Sequence, residues 1–255
     1  MKILIISALY QEYAPLKKLF PAFRPVRKIP SKMFALSLPG MEITLIESGM
    51  GENAVREVLG GQKGSLSPDL FIFSGFAGGL HPDLLVGEVC VVRSARPVEA
   101  DTTYNFQFSD QLADFLSKHR VKPVLALTTQ SPGNKQLLSA LACGQPAVLD
   151  METAVAAEQA WSRKIPFICF RAVSDALDQD LGFNLRDICD EQFRVKPLRV
   201  LATILKKPST LWAFYRLWRS SSLAAKNLCT LLAAFVGLSA DTLAGMADGI
   251  WVEKG

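Results

Sequence analysis

The chain has 255 residues, 49% of them hydrophobic and 20% charged, with a net charge of +4. That size and apolar share suit one large domain, or one domain with an appendage, and no repeat or low-complexity segment interrupts it. The five cysteines (Cys90, Cys143, Cys169, Cys189 and Cys229) form no CxxC pair, and the two histidines, His81 and His119, have no metal-ligand neighbour. Reduced core thiols in a reducing compartment are therefore expected, with no metal site and no cofactor.

Residues 2–7 read as a buried first strand. Their apolar run is too short for a signal peptide and breaks into Tyr10, Gln11 and Glu12. A helix is expected over 10–19. Strands over 33–38 and 43–47 should form a hairpin around Pro39-Gly40. Gly49-Met50-Gly51 opens a helix over 52–63, and the all-apolar strand 70–74 runs into Gly75-Phe76-Ala77-Gly78-Gly79. A strand over 88–94, a helix over 110–119, a strand over 123–127 and a helix over 134–141 follow. The apolar run Ala147-Val148-Leu149 leads through Asp150 and Glu152 into a helix over 153–163, then a buried strand over 165–170. This alternation predicts an α/β fold, a single domain with a central mixed sheet flanked by helices.

The C-terminal part differs. Residues 187–205 read as helical, and Lys206-Lys207-Pro208-Ser209 breaks them. Over 210–219, Leu211, Phe214, Tyr215 and Trp218 fall at helical spacing with Trp212 beside them. Ser220-Ser221-Ser222 is expected to interrupt the helix before it resumes over 223–237. The apolar run 228–238 is shorter than the roughly 20 residues a bilayer requires. From Gln192 to Ala240 there are eight Lys and Arg residues and no Asp or Glu. Such asymmetry points to an anionic partner. Because the cations lie among large apolar residues, a nucleic acid is not expected. The chain divides into an α/β domain over 1–205 and a basic, aromatic-rich helical extension over 206–255.

Two acidic clusters fall at the ends of the unit 147–180. Asp150 and Glu152 follow the apolar run, while Arg171, Ser174 and Asp175 follow the strand 165–170. Open α/β sheets bind ligands just beyond the carboxyl ends of their strands. Carboxylates there can hold sugar hydroxyls or carry protons. Plainer accounts exist for each residue. Glu12 could sit on a solvated helix face, Glu152 could serve the dipole of its helix, and Asp175 could pair with Arg171. Glycines at 49–51 and 75–79 could bring backbone N–H groups to a ligand or merely form tight turns.

Five segments in combination resemble the nucleoside phosphorylase/nucleosidase superfamily, in particular its methylthioadenosine/adenosylhomocysteine nucleosidase branch. They are MKILIISALYQE at the start, SGMG at 48–51, SGFAGGLHPDLLVGEVCVV at 74–92, DMET at 150–153 and RAVSD at 171–175. The resemblance covers residues 1–180 and implies a mixed, partly closed sheet and cleavage of the N-glycosidic bond of a purine nucleoside. It implies catalytic roles for Glu12, activating water, and Asp175, protonating the base at N7. Substrate contacts are implied for Met151, Glu152, Arg171, Ser174, Phe76, Ala77 and Gly78, with Glu152 on the ribose hydroxyls.

Phosphorylases of the family carry phosphate-binding arginines at the first strand end and before the Gly-rich segment. This chain has SALYQE and FIFSGFAGG there, which favours hydrolysis. The usual base-stacking segment is replaced by TTQSPGNKQLL at 128–138. That segment, DMET and LKKPSTLWAFYRLWRSSSLAAKNL at 205–228 are similar to the hopanoid-associated sub-branch, which implies an adenine nucleoside with an apolar 5′ group such as adenosylhopane. A cytoplasmic homodimer is expected, with peripheral membrane contact through 206–238. A phosphorylase and a catalytically silent nucleoside-binding protein are the competing readings.

Overall fold

The computed structural model of the chain describes residues 1–28, 31–60, 67–130, 134–179 and 210–255. The helix expected over 187–205, and Cys189 with it, lie outside these residues. In chain order the elements are β1 (Lys2–Ser7), α1 (Tyr10–Leu19), β2 (Arg24–Arg27), β3 (Lys32–Leu38), β4 (Met41–Glu47), α2 (Glu52–Gly60), β5 (Leu70–Gly79), β6 (Val89–Pro97) and β7 (Tyr104–Gln107). Then come α3 (Asp110–Lys118), β8 (Lys122–Thr128), α4 (Lys135–Ala140), β9 (Ala147–Asp150), α5 (Thr153–Arg163) and β10 (Phe167–Asp175). Helices α6 (Thr210–Val236) and α7 (Ala240–Asp248) and strand β11 (Trp251–Lys254) complete it.

The strands form one mixed sheet that closes on itself. β6 pairs parallel with β8, β8 parallel with β9, and β9 antiparallel with the end of β5. β5 pairs parallel with β10, and β10 returns antiparallel to β6. Closure of these five strands leaves them few free edges. β1, β4, β3 and β2 extend from β5 as an open wing.

The long strand β5 decides where the site lies. β10 pairs with it from Phe71 to Gly78 and so fills one edge. β1 pairs with Leu70 to Phe73, and β9 with Gly78 and Gly79, so these two share the other edge. Residues 74–77 are left between them with an open edge. The sequence reading ended this strand at Ser74. Instead the glycine-rich stretch continues as strand, and Gly75, Gly78 and Gly79 all avoid positive φ. Likewise β10 runs on to Asp175, so the RAVSD residues lie within the strand and not beyond it.

The tail also departs from expectation. α6 is one continuous helix through the serine run, and Ser220 and Ser222 donate to the carbonyls of Arg216 and Trp218 four residues back, at 2.9 and 2.7 Å, so their hydroxyls are satisfied within the helix. Its second half is core. Leu228, Leu232 and Phe235 are buried with Leu16 of α1 and with Ile168 and Phe170 of β10. Cys229 Sγ donates to the backbone carbonyl of Glu12 at 3.1 Å and so ties α6 to α1. β11 adds a strand beside β7, so the extension is not wholly helical. Cys90, Cys143, Cys169 and Cys229 are free thiols.

Candidate active site

Glu12 occupies the first turn of α1, directly beyond β1, and is 3% exposed. One carboxylate oxygen accepts the N–H of Leu9 at 2.9 Å and so caps its own helix. The other accepts the N–H of Phe76 at 2.9 Å, which the open edge of β5 presents. Burial pushes the Glu12 pKa up, opposed by these backbone N–H groups and by Arg171. A buried carboxylate of raised pKa is a better base than a solvated one. Each oxygen also keeps a lone pair for a further donor.

Arg171 lies beneath Glu12 and is 1% exposed. Its guanidinium pairs with Asp150 at 2.5 Å and approaches Glu152 at 3.9 Å. It donates to Thr153 Oγ1 at 2.7 and 3.0 Å and lies over the Phe73 ring. A Cβ at Gly75 would stand 2.5 Å from Arg171 Nη1 and 2.9 Å from Glu12 Oε1, so only glycine lets both side chains lie against this strand. Asp150 is itself held by Thr128 Oγ1 at 2.8 Å and by the backbone N–H and hydroxyl of Thr153.

Glu152 is buried where β9 passes into α5. Its Oε1 accepts the N–H of Gly51 at 2.7 Å. Gly49 and Gly51 both adopt positive φ, near +88° and +89°. That left-handed backbone, which glycine takes without strain, aims the N–H at Glu152. Burial pushes the Glu152 pKa up to about 7, against the pull of Arg171. Met151, just before it, is partly exposed.

Asp175 forms a second acidic point. It pairs with Gly78, three residues along β5 from Gly75, or roughly 10 Å at the usual strand rise. Ser174 donates to Asp175 Oδ1 at 2.5 Å and lies 3.4 Å from the Ala77 carbonyl. The partner of Asp175 is Lys135 at the start of α4, and not Arg171. The reason is a bulge. The pairing of β10 with β5 shifts by one residue between Val173 and Asp175, which reverses the alternation of faces and turns Asp175 away from Arg171. Beyond Asp175 opens a cavity of about 400 Å³, walled by Val86, Ala213, Leu217 and Leu223 and flanked by Arg216 and Arg219. Phe76 is half-buried between the two acidic points.

These side chains gather toward the carboxyl ends of β1, β5 and β10. A family model of the phosphorylase superfamily matches residues 2–206. The chain belongs to the phosphorylase superfamily. It is similar to the 5′-methylthioadenosine/S-adenosylhomocysteine nucleosidase of Haemophilus influenzae (strain PittEE), 26% identical over 209 residues, which is 73% of this chain and 91% of that protein. The crystal structure of the Campylobacter jejuni 5′-methylthioadenosine/S-adenosyl homocysteine nucleosidase shares its fold, with a TM-score of 0.66 at 14% identity over 92% of this chain and 99% of that one. So does the futalosine hydrolase of Helicobacter pylori strain 26695, at 0.69 and 16% identity over 93% and 97%.

In this superfamily member the sequence reading left two side-chain partnerships unassigned. It noted Asp150 but not that Asp150 would be the main partner of Arg171. A buried arginine needs a close carboxylate, and Asp150 was the nearest acid to a predicted strand end. Lys135 received no role, because α4 reads as a short, unremarked surface helix.

Proposed function

We propose that this chain is a purine nucleosidase that uses water to cleave the bond between ribose C1′ and base N9. The observation that carries this reading is the division of labour along β5. Glu12 is held at the open edge beside Phe76, and Asp175 lies further along, where the site opens to the cavity. As the bond breaks, positive charge develops on the ribose and negative charge on the purine. Glu152 accepts the ribose 2′ and 3′ hydroxyls, and its charge favours the cationic transition state. Glu12 takes a proton from the attacking water, and Asp175 meets N7 of the departing base. Arg171 keeps the carboxylates in place from below. Met151, Ser174 and the strand Phe76-Ala77-Gly78 frame the substrate between these groups.

Water is favoured over phosphate by electrostatics. Arg171 and Lys135, the cations at the two acidic points, are both engaged by carboxylates. A phosphate beside Glu12 would therefore meet negative charge first. The test is base release from purine nucleosides bearing small, thioether and long apolar 5′ groups. Free purine is expected in phosphate-free buffer, with no gain on adding phosphate. A strict need for phosphate would make the chain a phosphorylase, and binding without base release would make it a silent nucleoside-binding protein.

Glu152→Gln is expected to weaken riboside binding about 10- to 100-fold, the worth of a hydrogen bond to a charged acceptor. Binding of 2′-deoxyribosides should change far less. Riboside affinity should also rise with pH through about 7, as Glu152 ionises and becomes a full acceptor. Equal losses for both sugars would remove Glu152 from O2′.

The apolar walls of the cavity support an apolar 5′ substituent, and the sequence resemblance makes adenosylhopane the candidate. Leu211, Trp212, Tyr215 and Trp218 are exposed on the first turns of α6, with Trp212 and Trp218 each 67% exposed. The helical repeat of 3.6 residues places them on one broad face, with Arg219 within it and Arg216 at its flank. This favours contact of the face with the inner surface of a membrane; that the enzyme is a cytoplasmic homodimer belongs to the same proposal. Among the described residues no single helix is long and apolar enough to cross one.

Vesicle cosedimentation tests this contact. Each cation near an anionic bilayer contributes on the order of 1 kcal/mol, so binding should favour anionic lipid and weaken as salt rises. Because the inner half of α6 is core, the comparison is the full chain carrying Trp212→Ser and Trp218→Ser, which should lose binding. No sedimentation with either neutral or anionic vesicles would instead assign this face to packing, for example against a second copy.

A further inference from the structure

Lys135 opens α4, and its ammonium is almost enclosed. It pairs with the Asp175 carboxylate and donates to the carbonyls of Asp175 at 3.1 Å and Ala176 at 2.8 Å. The three donors of the ammonium thus all have acceptors on the end of β10. Its stem crosses Gly78, where a Cβ would stand 3.0 Å from Lys135 Cε and 3.2 Å from Asp175 Oδ2. The side chain of Lys135 is 16% exposed and that of Asp175 14%. Asp175 therefore meets a substrate as half of a lysine–carboxylate pair.

A lone carboxylic acid poised to protonate a base calls for an apolar surrounding that keeps its proton on. Asp175 instead has an ammonium in contact with its carboxylate. The proton that the leaving purine requires is then stored on the lysine. We infer that Lys135 is the proton reservoir of the reaction, acting through Asp175; this rests on the nucleosidase reading above. When the C1′–N9 bond breaks, its electron pair passes to the purine. Lys135 Nζ passes a proton to the Asp175 carboxylate, which passes it on to N7. The pair passes from ammonium–carboxylate to amine–carboxylate, and the purine leaves neutral. The water that attacks C1′ gives its proton to Glu12. Glu12 then releases that proton to solvent and Lys135 regains one, which restores both charges. Among the described residues, few groups face the pair. Ser174 and Asp175 come from β10 and the backbone of Gly78 from β5, and Arg216 and Arg219 of α6 lie across the cavity.

The test is the pH profile of kcat/KM for a nucleoside the wild-type chain cleaves, compared with Lys135→Met and Lys135→Arg. An ordinary lysine keeps its proton to about pH 10, whereas an ordinary aspartic acid loses it near pH 3.9. Removing the lysine should therefore move the alkaline limb toward acid by at least about one pH unit. The rate at pH 8 should fall at least about 10-fold, with recovery at low pH. Lys135→Arg keeps the ion pair but cannot give up its proton, so it should fold with normal stability and remain slow at every pH. Two results would overturn the inference: an alkaline limb in Lys135→Met at the wild-type pH or above it, or full rescue by Lys135→Arg. Either would leave Lys135 as a clip between α4 and β10 while the nucleosidase reading stood. Absence of base release by the wild-type chain would remove both.

Discussion

Glu12→Gln is expected to lower turnover by about 10²- to 10⁴-fold, the range for loss of a general base, while nucleoside binding persists. The substitution keeps size and shape and removes the basicity. Glutamine offers one acceptor oxygen where Glu12 accepts from both Leu9 and Phe76. One buried N–H therefore loses its partner, at a cost of about 1–3 kcal/mol in stability. Thermal unfolding, single-turnover rates and equilibrium binding separate the two effects. Burial raises the Glu12 pKa, so in the wild-type chain the base should be lost on acidification at a higher pH than for a solvated glutamate. Near-native turnover in a folded Glu12→Gln variant would take the residue out of the mechanism.

Asp175→Asn is expected to cost at least about 10² in base release. The amide cannot pass a proton to N7, and it leaves the Lys135 ammonium without its carboxylate. The loss should depend on the leaving group. Nucleosides whose base departs readily without protonation should be affected much less than purine nucleosides. A uniform loss across leaving groups, with unchanged stability, would point to a positional role for Asp175 in place of proton transfer.

Much of this arrangement was legible in the sequence. Apolar runs bounded by Gly, Pro and charge mark β1, β5, β8 and β10, and the helices α1, α3 and α5 fall where their periodicity places them. Glu152 and Asp175 drew notice because each follows an apolar run, and strand ends are where the fold gathers ligand groups, whereas Glu12 was picked out by the family resemblance alone. What escaped depends on pairing across the chain. The short strands β2, β7 and β11 carry too few residues for a period to register, and neighbours in the sheet define them. The glycines at 75–79 left a tight turn open as a reading, yet they are strand residues, and Gly75 and Gly78 are crossed by Arg171, Glu12 and Lys135. The partners of Arg171 and Asp175 turn on a one-residue bulge in β10, which no local pattern announces. The serine run in α6 read as a break, because serine competes with the helix in isolation. In the fold its hydroxyls return to carbonyls one turn back.

The central claim is that this site adds water to C1′ of a nucleoside, with Glu12 as base and Asp175 at the leaving purine. The most direct measurement is turnover of a purine nucleoside in ¹⁸O-labelled water containing phosphate, with the sugar product read by mass spectrometry. The account predicts free purine and free sugar in equal amounts, with one labelled oxygen at C1′. A sugar 1-phosphate free of label, or no base released from any purine nucleoside by the folded chain, would contradict it.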